Sequence, residues 1–152
     1  MIQLFCDMDG VLADFDTGYG MRFGVAPSKA DDNVDWELVR NTPNFYRDLP
    51  PMSDFLALWG YIHRYRPVVL TGVPHSVEEA PANKRAWIDK YLGTDVRMIT
   101  CRSAEKFLHS QPGDILIDDW PKYRERWIRA GGQWITHVNA ELTITRLKDM
   151  GL

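Results

Sequence analysis

The stretch Ile2 to Asp16, IQLFCDMDGVLADFD, constrains the fold more than any other. Ile2, Leu4, Phe5 and Cys6 make a short apolar run bounded by acids and a glycine, the pattern of a buried central strand. Asp7 and Asp9 follow with one residue between them. On a continuing strand their carboxylates would share a face. Two like charges that close repel unless a cation or a shared proton relieves them. Aspartates at the carboxyl end of an α/β strand lie where such folds bind ligands, and Gly10 lets the backbone turn away without a Cβ penalty. Taken alone, the stretch also reads as an ordinary turn of Asp and Gly.

The rest of the chain supplies the context. Ala13 to Phe23 reads as a helix or lid-entry segment, but Gly18, Gly20 and Gly24 make it a poor regular helix. Val25 to Pro51 is polar and broken, with Pro27, Asp31, Asp32, Asn33, Asn41, Pro43 and Pro50-Pro51 around Trp36, Leu38, Phe45 and Tyr46. A connection that long inside a compact domain is unusual unless it is a lid or binding loop. It is read as a small insertion over the carboxyl end of the first strand. Ser53 can cap a helix whose apolar face is Phe55, Leu56, Leu58, Trp59 and Ile62. PVVLT (Pro67–Thr71), VRMIT (Val96–Thr100), DILID (Asp114–Asp118) and QWITH (Gln133–His137) read as further strands. Between and after them, helices are expected at Asn83–Leu92, Pro121–Ala130 and Glu141–Met150, with a short helical turn at Ser103–His109. In Pro121–Ala130, Tyr123, Trp127 and Ile128 should face inward and Arg124, Glu125, Arg126 and Arg129 solvent.

Alternation of strands and helices implies α/β architecture with a parallel sheet and right-handed crossovers. All strand carboxyl ends then lie on one edge. The first strand delivers Asp7 and Asp9 there, the second Thr71 and Gly72, the fourth Asp118 and Asp119, with Lys84 and Lys106 in the intervening segments. That set suits phosphoryl transfer. Clustered carboxylates bind Mg2+, which lets a carboxylate nucleophile approach an anionic phosphate. Thr71 and the N–H groups of Gly72 and Met8 can hold phosphate oxygens, and a lysine can offset charge developing there. One Asp can form an aspartyl-phosphate while the other moves protons.

Composition adds limits. Of 152 residues, 45% are hydrophobic and 26% charged, ordinary for one globular domain. A net charge of −3 gives no electrostatic reason to expect nucleic-acid binding, and no apolar run approaches the ~20 residues needed to span a bilayer. The N-terminus lacks the charged and apolar regions of a signal peptide, and Cys6 and Cys101 read as small buried hydrophobes in a reducing compartment. A cytoplasmic location is therefore expected. His63, His75, His109 and His137 lack metal-site spacing and read as structural or exposed. The oligomeric state stays open, a homodimer being one option.

At these residues a family resemblance appears. DMDGVLADFD, VVLTG and DILIDD resemble the first, second and last motifs of the haloacid dehalogenase (HAD) superfamily of phosphatases. Within it the chain is most similar to the 5′(3′)-deoxyribonucleotidases. The shared features are Phe15, six residues after Asp9, the NFY…LPP run at Asn44–Pro51, NKRAWIDKYLG at Asn83–Gly93, and an IT-x-R…K stretch ahead of ILIDD. The resemblance implies a Rossmann-like three-layer α/β/α domain over residues 1–152 with a small cap insertion at about residues 15–50. It implies a Mg2+-dependent phosphomonoester hydrolase of small molecules, a 5′-nucleotidase acting on deoxynucleoside monophosphates. Asp7 would be the nucleophile and Asp9 the acid/base. Asp7, the backbone carbonyl of Asp9, and Asp118 would hold Mg2+, with Asp119 either a further ligand or an orienter of Lys106. Thr71 and Lys106 would bind phosphate, and Phe15 and Trp36 would line the nucleoside pocket, with Gly72, Lys84 and Arg102 also in the binding set. The chain departs from the family in three respects. Its insertion is short for that family, which bears on the pocket residues there. Gly72 stands where the nucleotidases resemble Thr-Ser, which removes a hydroxyl. Arg102 and Lys106 are spaced more widely than the family pattern, which leaves Lys84 as a rival for the phosphate lysine.

Other readings stay open. A polynucleotide 3′-phosphatase would turn the basic residues of the Pro121–Ala130 helix toward its substrate. A sugar-phosphate phosphatase would need no aromatic pocket. A non-enzymatic phosphoacceptor switch also uses a strand-end Asp, a Thr and a Lys, but an acid/base beside the nucleophile favours turnover over storage.

Overall fold

The structure is a computed structural model describing residues 1–25, 27 and 33–152. Asp31 and Asp32, part of the polar stretch singled out in the sequence, lie outside the described residues. Five parallel strands form one sheet: β1 (Leu4–Cys6), β2 (Val68–Gly72), β3 (Met98–Cys101), β4 (Ile115–Asp118) and β5 (Gln133–Thr136), in the order β3-β2-β1-β4-β5. This is the expected Rossmann-like α/β arrangement. β1 is the central strand, paired with β2 through Phe5 opposite Val68 and with β4 through Phe5 opposite Leu116.

Alternation along the strands divides the core in two. Leu4, Cys6, Val69, Ile115, Ile117 and Ile135 pack on one face. There they meet α3 (Phe55–Ile62), α4 (Ala80–Tyr91) and α6 (Ala140–Asp149) through Leu58, Ile62, Trp87, Ile88 and Leu147. Phe5, Val68, Leu70 and Leu116 occupy the other face beneath Trp127 of α5 (Arg124–Arg129), with Trp134 alongside. The second face is thinly covered, because α5 has six residues and the link from β3 to β4 is a 3-10 segment, Ser103–His109.

Several local expectations are corrected. α1 (Phe15–Phe23) is a regular nine-residue helix despite its glycines. Asp14 caps it by accepting from the Thr17 N–H, and a Cβ at Gly18 would lie 2.5 Å from Leu49 Cδ2, so packing rather than propensity selects glycine there. Ser53 is not the cap of α3. Asp54 holds that position without capping the helix, and its Oδ2 accepts from the Ala140 N–H at 2.6 Å, tying α3 to α6. α4 begins at Ala80 rather than Asn83 because Pro81 fits a first helical turn. The expected helix at Pro121–Ala130 is a 3-10 turn, Pro121–Tyr123, followed by α5, and Ile128 is 38% exposed rather than inward. Cys6 is buried, Cys101 is half-buried, and both are free thiols. His137 is buried, with Nδ1 2.7 Å from Thr143 Oγ1. No helix among the described residues is long and apolar enough to cross a membrane.

Candidate active site

β1 ends at Cys6, and the Asp7 N–H continues its ladder by donating to the Ile117 carbonyl at 2.9 Å. Asp7 is thereby fixed between β1 and β4, with its neighbour Asp118 on the last residue of β4. The chain then reverses tightly. The Val11, Leu12 and Ala13 N–H groups point at the Met8 carbonyl, and the Gly10 N–H donates to the Ala13 carbonyl. Gly10 sits at φ +82°, and a Cβ there would overlap the Asp119 carboxylate. The glycine serves both the turn and the approach of Asp119 to the first strand.

One oxygen each from Asp7, Asp118 and Asp119 lies within 4.8 Å of the others. Three hard carboxylate oxygens that close suit Mg2+, which takes a few carboxylates and completes its shell with water and phosphate. The donor set fits the expected metal, to which the resemblance brings Asp9 through its backbone carbonyl alone. The Asp9 side chain is not in this group, because its Oδ2 accepts from Lys84 Nζ at 2.7 Å. Its Oδ1 is buried and has no hydrogen-bond partner among the described residues.

The two candidate lysines occupy different places. Lys84, on α4, is fully buried and does not line the cavity. It donates to Asp9 Oδ2 at 2.7 Å, Thr71 Oγ1 at 2.9 Å and the Gly72 carbonyl at 2.7 Å, and lies 4.6 Å from the Tyr46 ring centre. An ammonium has three protons, and these three oxygens match them. Lys106, from the Ser103–His109 segment, lines the cavity and reaches Asp7 Oδ1 at 2.9 Å and Asp118 Oδ2 at 2.7 Å. Burial works against its charge, yet Asp7 and Asp118 hold its pKa well above the usual lysine range. Burial and the nearby Asp7 charge, partly offset by Lys106, push Asp118 up to about 6. Burial, reinforced by Asp9, also raises the Tyr46 hydroxyl.

A cavity opens above this edge. From the segment between β1 and β2 it takes Phe15, Trp36 and Tyr46, with Val34. Phe15 is buried and makes ring contacts at 5.5 to 6.2 Å with Phe45, Tyr46, Tyr19 and Trp36. Trp36, first residue of α2 (Trp36–Arg40), remains 43% exposed. Phe45 belongs to the core and does not line the cavity. Of the sequence-derived set, Asp7, Asp9, Phe15, Trp36, Gly72, Lys106, Asp118 and Asp119 line the cavity. Thr71 is buried behind it, with its hydroxyl on Lys84. Arg102 is exposed and outside the lining, because it ends the extended link from β3 rather than turning into the 3-10 segment.

Two groups of lining residues escaped the sequence reading. Ser103 Oγ sits where a Cβ at Gly72 would be, and Ser103 lines the cavity. The hydroxyl missing at position 72 is thus replaced from the neighbouring segment. The absence of a side chain at 72 was the visible signal. The second group comprises Phe107, Trp120, Tyr123, Arg126, Trp127 and Trp134.

No family model and no curated relative matches the chain. Among solved structures, it is similar to a hydrolase from Streptococcus pneumoniae TIGR4, at 12% identity and a TM-score of 0.54, over 97% of each chain. It is also similar to a HAD hydrolase, family IA, variant 3, from Entamoeba histolytica HM-1:IMSS, at 12% identity and a TM-score of 0.49, over 88% of this chain and 82% of that one. The likeness to the Streptococcus protein is one of fold, and it extends over essentially the whole of both chains.

Proposed function

We propose that this chain is a Mg2+-dependent phosphomonoester hydrolase of the HAD type, acting on deoxynucleoside monophosphates through an aspartyl-phosphate. The observation that carries the reading is the pairing of Asp7, grouped with Asp118 and Asp119, with Asp9, whose buried Oδ1 is not hydrogen-bonded among the described residues. Support also comes from the sequence motifs at β1, β2 and β4 and from the fold shared with a hydrolase.

Asp7, Asp118 and Asp119 would hold Mg2+, which supplies positive charge that lets an anionic phosphate meet a carboxylate. The Asp7 carboxylate attacks phosphorus, and the P–O bond to the leaving alcohol breaks. That alkoxide takes a proton from Asp9 Oδ1, while Lys84 holds Oδ2. Asp9 then accepts a proton from the incoming water, whose oxygen attacks phosphorus and releases phosphate and the Asp7 carboxylate. Lys106 and Ser103 face the phosphate from the cavity wall. Lys84 acts on Asp9 and Thr71, so Lys106 is the phosphate lysine in this reading. Asp9 beside the nucleophile speaks for turnover over a stable phosphoacceptor.

The segment at about residues 15–50 acts as the cap, with Phe15 and Trp36 as flat surfaces for a base. Base stacking on aromatics is worth roughly 1–3 kcal/mol. The test is phosphate release, with Mg2+ and with EDTA, from deoxynucleoside monophosphates, sugar phosphates and a 3′-phosphorylated oligonucleotide. The expected result is EDTA-sensitive release, fastest from the nucleotides, with Trp36→Ala raising KM more than it lowers kcat. If sugar phosphates give the highest kcat/KM and Trp36→Ala changes nothing, the nucleotidase reading fails while the chemistry stands. EDTA-insensitive release would remove the metal mechanism itself.

A further inference from the structure

The cavity lining carries both signs of charge: Asp7, Asp9, Asp118 and Asp119 are its acids, and Arg126 on α5 joins Lys106 as a cation. Arg126 makes no ion pair among the described residues. Its guanidinium lies 5.1 Å from the Tyr123 ring centre, and one nitrogen donates to the Ala104 carbonyl at 3.0 Å. That bond uses one of five N–H donors. Lys122 Nζ lies 5.1 Å from the Trp120 ring centre and 5.6 Å from that of Tyr123, and those rings meet edge to face at 5.6 Å. The Tyr123 ring orients the Arg126 guanidinium without neutralising it. A guanidinium held beside a ring, with donors left over, is suited to a phosphate.

The catalytic phosphate belongs at Asp7 and Lys106, and Arg126, held on Tyr123 and the Ala104 carbonyl, has no part in the chemistry above. We propose that Arg126, set on Tyr123 with Lys122 nearby, is a second phosphate subsite, and that the preferred substrates are nucleotides carrying a further phosphate on the other side of the sugar. This rests on the phosphomonoesterase reading. The second phosphate is terminal in a nucleoside bisphosphate or bridging in a short oligonucleotide.

The experiment compares deoxythymidine 5′-monophosphate, deoxythymidine 3′,5′-bisphosphate and 5′-phosphorylated dithymidylate on the full chain with Mg2+. Losing a hydrogen bond to a charged group costs roughly tenfold or more. We therefore expect kcat/KM for at least one two-phosphate substrate to exceed that of the monophosphate by about that factor. Whichever exceeds it identifies a terminal or a bridging phosphate. Arg126→Gln should collapse the ratio through KM, Arg126→Lys should restore part of it, and Arg124→Gln, on the exposed side of α5, should keep it. In the unmodified protein the preference should shrink with added NaCl as the charges are screened, which tests the subsite even if Arg126→Gln folds poorly. A ratio near one, a salt-insensitive ratio, or an equal fall on all three substrates in Arg126→Gln overturns the subsite and makes Arg126 a brace to Ala104. If none of the three is hydrolysed, the nucleotidase reading fails. Calorimetric binding of the same nucleotides then decides the subsite: tighter two-phosphate binding lost in Arg126→Gln supports it, and equal Kd values overturn it.

Discussion

The two sides of β1 each hold a buried lysine against an aspartate, and they do so to different ends. Toward β2, Lys84 meets one carboxylate, one hydroxyl and one carbonyl, with the Tyr46 ring beside it. Toward β4, Lys106 meets two carboxylates at the cavity surface. The first lysine fastens β1, β2 and Tyr46 of the segment between them to α4. The second offsets a concentration of negative charge that a divalent cation would also offset. A buried lysine paired with an aspartate is therefore not one kind of feature: the number of acids around it, and whether it reaches the cavity, separate a fastener from a participant.

The largest test of that contrast is at the acid itself. Asp7→Asn keeps the shape of the site and removes the attacking charge, and turnover should fall on the order of 10³-fold or more, as for residues that act as a unit. Melting in EDTA should not suffer, because one of two repelling carboxylates is gone. Near-normal turnover of this variant would end the mechanism.

Next come the lysines. Removing one partner of a buried pair costs about 3–5 kcal/mol, so Lys84→Met should unfold at much lower urea, and Mg2+ should not repair it. Lys106→Met should lose activity and also lose stability in EDTA, but Mg2+ should restore much of that stability by taking over Asp7 and Asp118. Urea unfolding with and without Mg2+ measures both. An equal Mg2+ response in the two variants would abolish the distinction.

A third effect is set by pH. Asp118 is raised from 3.8 to about 6, so the folded chain keeps a proton that the unfolded chain releases. Its contribution to stability is therefore full below about pH 3.8 and lost as pH rises through about 6. Mg2+ needs the ionised form. The Mg2+-induced rise in Tm should grow as pH passes about 6 and fade below it. Scanning calorimetry between acid and neutral pH checks this. Ca2+ should also raise Tm while supporting little turnover, because its shell is larger and looser. A Mg2+ increment that ignores pH would show that Asp118 is not a ligand.

The smallest effect is expected at Ser103. A neutral hydrogen bond is worth about 0.5–1.5 kcal/mol, so Ser103→Ala should raise KM a few-fold with kcat nearly kept. Unaltered kinetics would return Ser103 to a packing role against Gly72.

The sheet, the order of its elements and the acid edge were legible because they rest on strong local signals. These were apolar runs ending in Asp, and helical spacing between them. What stayed hidden depended on partners far along the chain. The glycines of α1 read as helix breakers because Leu49, which requires Gly18, lies 31 positions away. Ser53 read as a cap because nothing local shows that Asp54 is committed to Ala140. Arg126 read as a solvated charge, and it is exposed, yet the same side chain lines the cavity, because a short α5 on the thin face leaves a cleft beside Ser103–His109. Lys106 was the preferred phosphate lysine in the sequence, with Lys84 as its rival. The structure separates them by partners and by reach, since Lys106 alone of the two meets two carboxylates and lines the cavity.

Gly10 carries a consequence for mutational tolerance. A side chain there would enter the space of the Asp119 carboxylate and would also demand φ +82° of a residue with a Cβ. Alanine at position 10 therefore spends its cost twice, on the turn and on the third oxygen of the carboxylate group. Much of the sheet could survive such a change while the affinity for a divalent ion dropped. The tightest constraint on this edge thus falls on a residue that has no side chain.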